Sequence, residues 1–314
     1  GGASLDVTGA GAVSGIKANG GSVTVSGGQA IIKAATTGDD QSAYALSGEN
    51  NGSVTVSADS VKLTAQTTTG DAAAINNEGT GTISVTAGDE GVELTASSVN
   101  GAAQAISSSG TGKVTVATTG QASFDVTGQS AVGLGSGNGG NITVNAAQGS
   151  NYAVTATSGD AAGITADGAS LAYGKVNNVT VTATKGDAYG LAATNGATLS
   201  GDANSAVRNI TVTANTADNA AYGVYAASGS TVKGAAAGSL TVESAGAGAG
   251  ISAADNSSVS VKADSLAVSA DYAAGIAADS STVDAKLGSL KAASENGIAA
   301  GITAANDGSV SADL

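Results

Sequence analysis

A phrase of small residues, a branched aliphatic anchor and a polar turn recurs along the whole chain. It reads Ser14-Gly15-Ile16, Tyr44-Ala45-Leu46, Ala73-Ala74-Ile75, Gln104-Ala105-Ile106, Val132-Gly133-Leu134, Ala162-Gly163-Ile164, Tyr189-Gly190-Leu191, Tyr222-Gly223-Val224, Ala249-Gly250-Ile251, Ala274-Gly275-Ile276 and Ala300-Gly301-Ile302. From Ile16 to Ile302 the ten intervals range from 25 to 33 residues, a mean period near 28.6. A fixed period in that range is the mark of stacked structural units, each unable to bury its own apolar face alone.

Two further short apolar runs follow each anchor. The first includes Ser53-Val54-Thr55-Val56 and Asn141-Ile142-Thr143-Val144, and the second Val61-Lys62-Leu63-Thr64 and Ile210-Thr211-Val212-Thr213. Both alternate branched apolar residues with Thr, Ser or Lys, as a strand with one buried face does. No segment shows helical periodicity. Three short strands per repeat bury their apolar faces economically if each pairs with its counterpart one turn later. The sequence therefore predicts an all-β fold, a right-handed parallel β-helix of about eleven coils over residues 1–314 as one continuous unit. At about 4.8 Å per rung the rod is roughly 50 Å long. A sandwich or propeller of antiparallel hairpins fits less well, because the turns vary in length and the aromatic mass is small.

Composition agrees with thin, closely stacked structure. There are 48 Gly but one Phe (Phe124) and seven Tyr, and no Pro, Cys, Met, Trp or His. Lack of Cys removes disulfides and thiolate metal sites, and lack of His removes the commonest metal ligand and general base. With 11 Lys plus Arg against 25 Asp plus Glu, the net charge is −14, which argues against nucleic-acid binding. No stretch approaches the roughly 20 apolar residues of a membrane span, so no direct membrane insertion is expected. Residues 1–10 lack a charged and apolar signal pattern, and neither end reads as a polar cap. The chain is expected to be a segment of a longer surface protein, or to stack its ends on other copies.

The phrases Asp187-Ala188-Tyr189-Gly190-Leu191-Ala192-Ala193-Thr194-Asn195-Gly196-Ala197-Thr198 and Asn209-Ile210-Thr211-Val212-Thr213-Ala214 resemble the passenger region of bacterial type V autotransporters. The resemblance covers nearly the whole chain and rests on repeat style. It implies a β-helix displayed on the surface of a diderm bacterium as an adhesin, a self-associating factor or a stalk. Its partners would be further copies of itself or a host or neighbouring cell surface, and its place extracellular.

Several columns carry functional expectations. Gly133, Gly163, Gly190, Gly223, Gly250, Gly275 and Gly301 each precede an anchor, as Gly15 does, with Ala45, Ala74 and Ala105 in the same place. Strand alternation would turn this column outward as a flat docking strip; the competing reading is a bend or bulge. A second column, including Asp40, Asp71, Asp160, Asp187 and Asp271, reads as turn formation, with calcium at Asp160 and Asp187 as the alternative and no other cofactor expected. Tyr44, Tyr189 and Tyr222 lie two residues before an anchor and are expected inside, whereas Tyr152, Tyr173, Tyr225 and Tyr272 are the candidates for exposure. Asn141, Asn178 and Asn209 begin Asn-X-Thr triplets and read as structural. A glycan-cleaving enzyme is the rival function, but such chemistry needs paired carboxylates or a base in a cleft with cations for an acidic substrate. Arg208 is the only arginine, so a non-enzymatic surface element is the leading expectation and a passive spacer the second.

Overall fold

A computed structural model describes residues 2–201 and 206–314 and contains only strands and turns. Every strand pair in it is parallel, each joining one coil to the next. The chain is a right-handed parallel β-helix of about eleven coils, as the period requires.

Three sheets run the length of the solenoid. In the first, all eleven anchors stand in one file: Ile16 pairs Leu46, Leu46 pairs Ile75, and the ladder continues through Ile106, Leu134, Ile164, Leu191, Val224, Ile251 and Ile276 to Ile302. A second file contains Val54, Ile83, Val114, Ile142, Leu171 and Leu199. The third carries Ile32, Leu63, Leu94, Phe124, Tyr152, Val179 and Ile210. Each residue in these files between Leu46 and Ile276 is nearly or fully buried. Like side chains stacked at rung spacing give the interior its regularity, and each coil meets only its neighbours.

Strands are longer than three short segments per coil would give. Ser22–Thr36, Ser53–Thr67, Thr82–Ser98 and Thr231–Ala254 each run on around a corner. Other corners close with specific chemistry. After the anchor strands the chain enters the left-handed region, at Asn50 (φ 53°), Asn138 (φ 51°) and Asn195 (φ 57°), and at Gly79, Gly110 and Gly168 in neighbouring coils. Only Gly and short polar side chains tolerate that region readily. Before the anchor strands a hydroxyl serves both neighbours. Ser98 Oγ donates to the Gly70 carbonyl at 2.7 Å and accepts the Gly101 N–H at 2.9 Å, and at a different corner, ahead of Ala122–Gly128, Thr118 does the same between Gly88 and Gly120.

The interior takes two tyrosines expected outside. Tyr152 and Tyr173 are 1% and 2% exposed, because each shares a face with its strand's aliphatics, Val154 and Leu171. Tyr152 stacks on Phe124 at 4.5 Å with the rings 4° from parallel. A Cβ at Gly234 would lie 2.0 Å from the Tyr173 hydroxyl, so a glycine makes the space the larger ring uses.

Burial pushes both phenols above the ordinary value of 10.0. Near Tyr152 the Ser150 hydroxyl acts in the opposite sense. Above pH 10 the unfolded chain releases protons that the folded chain retains, so the unfolded state gains. Stability from these two groups is complete below pH 10 and falls as pH rises, by about 1.4 kcal/mol per pH unit for each phenol. Urea midpoints measured from pH 8 to 12 should show that fall, and Tyr152→Phe should flatten it; a slope unchanged in Tyr152→Phe would contradict the assignment.

Candidate functional site

The glycine column does not face outward. Gly133, Gly163, Gly190, Gly223, Gly250 and Gly275 are buried; Gly301 alone of those seven is exposed, on the last coil. A Cβ at Gly163 would stand 2.4 Å from Val179 Cγ1, and one at Gly190 would stand 2.7 Å from Ile210 Cγ2 and 2.5 Å from the Gly223 carbonyl. The docking-strip expectation is thereby corrected. Glycine and anchor both point inward, so alternation breaks at this step, and pairing passes from Ala162–Tyr189 directly to Ile164–Leu191 without a glycine partner. This is a bend, repeated coil after coil with the register kept.

Two inward residues in succession shape the outer surface. The residue before the glycine and the residue after the anchor both turn out, and the bend between them draws their side chains together. One outward column runs Tyr44, Ala73, Gln104, Val132, Ala162, Tyr189, Tyr222, Ala249 and Ala274, and the other Ser47, Asn76, Ser107, Gly135, Thr165, Ala192, Tyr225, Ser252 and Ala277; of these, Ser47, Ala73, Asn76, Ala162, Ala192 and Ala249 are covered by their neighbours. Between them lies a groove, marked by cavities over the coils from Tyr44 to Asp167. Gln104 and Ser107 line a cavity of about 220 Å³ with Tyr44, Asp71 and Glu78, and a second of about 220 Å³ with Val132, Gly135 and Asp167.

Tyr44, Tyr189 and Tyr222 belong to this groove and not to the core, correcting the inward expectation; each is half-buried. Tyr189 and Tyr222 nevertheless stack, with centroids 5.3 Å apart and planes 9° from parallel. Tyr225 leans on both from the other column, at 5.6 Å and 4.8 Å. Burial raises all three phenols, with Asp187 carboxylate repulsion adding to the shift at each. Tyr272 is 63% exposed, two residues before Ala274 of the outward column.

One rim of the groove is the acidic column, whose carboxylates bond one coil to the next. Asp160 Oδ1 accepts the Asp187 N–H at 2.9 Å, and Asp187 Oδ1 accepts the Ala220 N–H at 2.8 Å. Asp187 Oδ2 accepts the Tyr189 hydroxyl at 3.1 Å, and Asp71 Oδ1 accepts the Ala102 N–H at 3.1 Å. Among the described residues no three or more acidic side chains gather as a cation site would require.

Set against protein-family models, curated proteins and solved structures, the chain matches none. Its function is read from its own surface.

Other faces are structural in character. Asn178 Nδ2 donates to Asn151 Oδ1 at 2.8 Å, Asn209 Nδ2 to Asn178 Oδ1 at 2.9 Å, and Ser239 Oγ to Asn209 Oδ1 at 3.0 Å, an amide ladder climbing four coils. Asn178 and Asn209 thus act within the sheet, as the sequence suggests. A cavity of about 510 Å³ at another corner is lined by Thr86, Ala117, Thr118, Asn145 and Lys175, with no carboxylate in its lining. The groove could have been anticipated from one signal: the column before the anchors holds only Gly or Ala in all eleven copies, while its neighbours admit Tyr, Gln, Lys and Val.

Proposed function

We propose that this chain is a non-enzymatic structural or adhesive element of an extracellular bacterial surface, acting through a long face of its β-helix on further copies of itself or on another cell surface. The single observation that carries the reading is the groove, which follows one sheet from coil to coil and is bounded by repeated residues instead of a localised set of reactive groups. A surface of that kind gains affinity by summing weak contacts over length. The proposal extends the resemblance to autotransporter passengers, whose absence of Cys this chain shares.

Light scattering over a concentration series, paired with attachment of the labelled protein to bacterial and host-type cells, tests the reading. Growth in particle mass with concentration, or saturable attachment, is the expected result. A rod that stays monomeric and attaches to nothing would mark a passive spacer, and turnover of pectate, alginate or chitin would mark an enzyme.

A further inference from the structure

We propose that Tyr189, Tyr222 and Tyr225 form a carbohydrate subsite for an uncharged or amine-bearing glycan strand lying along the groove. The inference rests on the long-face reading and narrows it to one ligand chemistry at one place.

Stacked aromatics are ordinary inside a solenoid, where they fill an interior file, as Phe124 and Tyr152 do. These three stand on the outward columns instead, where packing the core gives no reason for them. The floor beside them is low. Ala162 precedes Tyr189 in its column, Ala249 and Ala274 follow Tyr222, and Ser252 and Ala277 follow Tyr225. Tyr189 and Tyr222 lie on adjacent coils with their planes nearly parallel, and the next residue of the column on either side of the pair is a buried alanine, Ala162 or Ala249.

A pyranose ring matches that setting. It lays a face of C–H groups on an aromatic plane and directs its hydroxyls sideways, so it needs an apolar platform with a few fixed acceptors near the edge. Asp187 is such an acceptor, held by the Ala220 N–H and the Tyr189 hydroxyl. Charge then sets the class of sugar. Past Lys17, neither outward column contains a lysine or arginine, while Asp160 and Asp187 stand on the rim and the chain carries −14 overall. Glycans bearing carboxylates or sulfates are repelled, and an ammonium group is attracted both by the carboxylates and by the ring faces.

The test uses the intact chain with three hexasaccharides: deacetylated chitohexaose, its N-acetylated form and hexagalacturonate. Tyrosine emission reports binding directly, because the chain has no Trp, and calorimetry gives the affinity. Binding is expected for the first two and not for the third. Tyr222→Ala should weaken it about tenfold, the equivalent of about 1.4 kcal/mol, and Asp187→Asn should narrow the preference for the amine-bearing sugar over the acetylated one. Ala249→Gln, which leaves the tyrosines in place and raises the floor beside Tyr222, should also weaken binding and covers the case in which Tyr222→Ala disturbs the fold. No binding of either chitohexaose, tightest binding of the galacturonate, or affinity unchanged in a folded Tyr222→Ala or Ala249→Gln protein would overturn the proposal. Self-association or cell attachment that persists in Tyr222→Ala without glycan binding would leave the long-face reading standing and remove this one.

Discussion

Replacing Gly190 with leucine is expected to lower the unfolding free energy by about 3 kcal/mol or more, and replacing it with alanine by about 1 kcal/mol. The difference follows from what surrounds the position. A Cβ there approaches Ile210 Cγ2, Val212 Cγ2 and the carbonyl of Gly223 in the next coil, at 2.7, 3.1 and 2.5 Å. Two of these are branched side chains fixed by their own stacks, and the third is backbone, so none yields cheaply. Alanine occupies the same column, fully buried, at Ala45, Ala74 and Ala105, so the fold admits a methyl group there. Leucine has no such precedent among the eleven copies. Urea denaturation of the two variants checks the ranking. Near-equal stabilities for leucine and wild type would mean that the column faces solvent after all.

Phe124→Ala should cost about 3 to 5 kcal/mol, the usual range for removing a buried aromatic. Phe124 is 1% exposed and sits between Leu94 and Tyr152 in one file, so truncation leaves a void with a rung above and a rung below it. It also ends the ring contact with Tyr152. Phe124→Leu should cost far less, because leucine and isoleucine already fill this file at Leu63, Leu94 and Ile210. In a solenoid the damage stays near its origin, since each coil leans only on the next. Native-state hydrogen exchange should therefore accelerate first in Val92–Ser97 and Ser150–Ala156, with little change around Leu240 or Leu266. Uniform acceleration along the rod would instead point to a single cooperative unit.

Most of the architecture can be read in the amino-acid order because the period and the anchors are local facts. Eleven anchors counted from the text become one file of eleven paired residues. The face of each column is harder to read, and the reason is the bend at the glycine. Simple alternation places Gly163 opposite to Ile164, yet both point inward, so every column on the far side of the glycine is displaced by one step. That one displacement moves Tyr189 and Tyr222 from the core to the groove. Tyr152 and Tyr173 went the other way for a simpler reason: their own strands alternate with Val154 and Leu171, and that alternation was the better guide. Asp160 and Asp187 read as turn residues, since short carboxylates beside glycine favour turns, yet each accepts an N–H from the next coil. The partnership of Asp187 with Tyr189 was not legible, because it depends on which way the ring faces.

The ladders that join the coils have a mechanical corollary. Their hydrogen bonds point along the long axis, so tension applied between two distant coils loads one rung before the next and does not shear a whole sheet at once. Yielding is then stepwise, each step releasing one coil of about 28 residues, roughly 90 Å of extended chain. A tether built this way lengthens by instalments under force and can rewind on slack, since every released coil finds its template still in place beneath it.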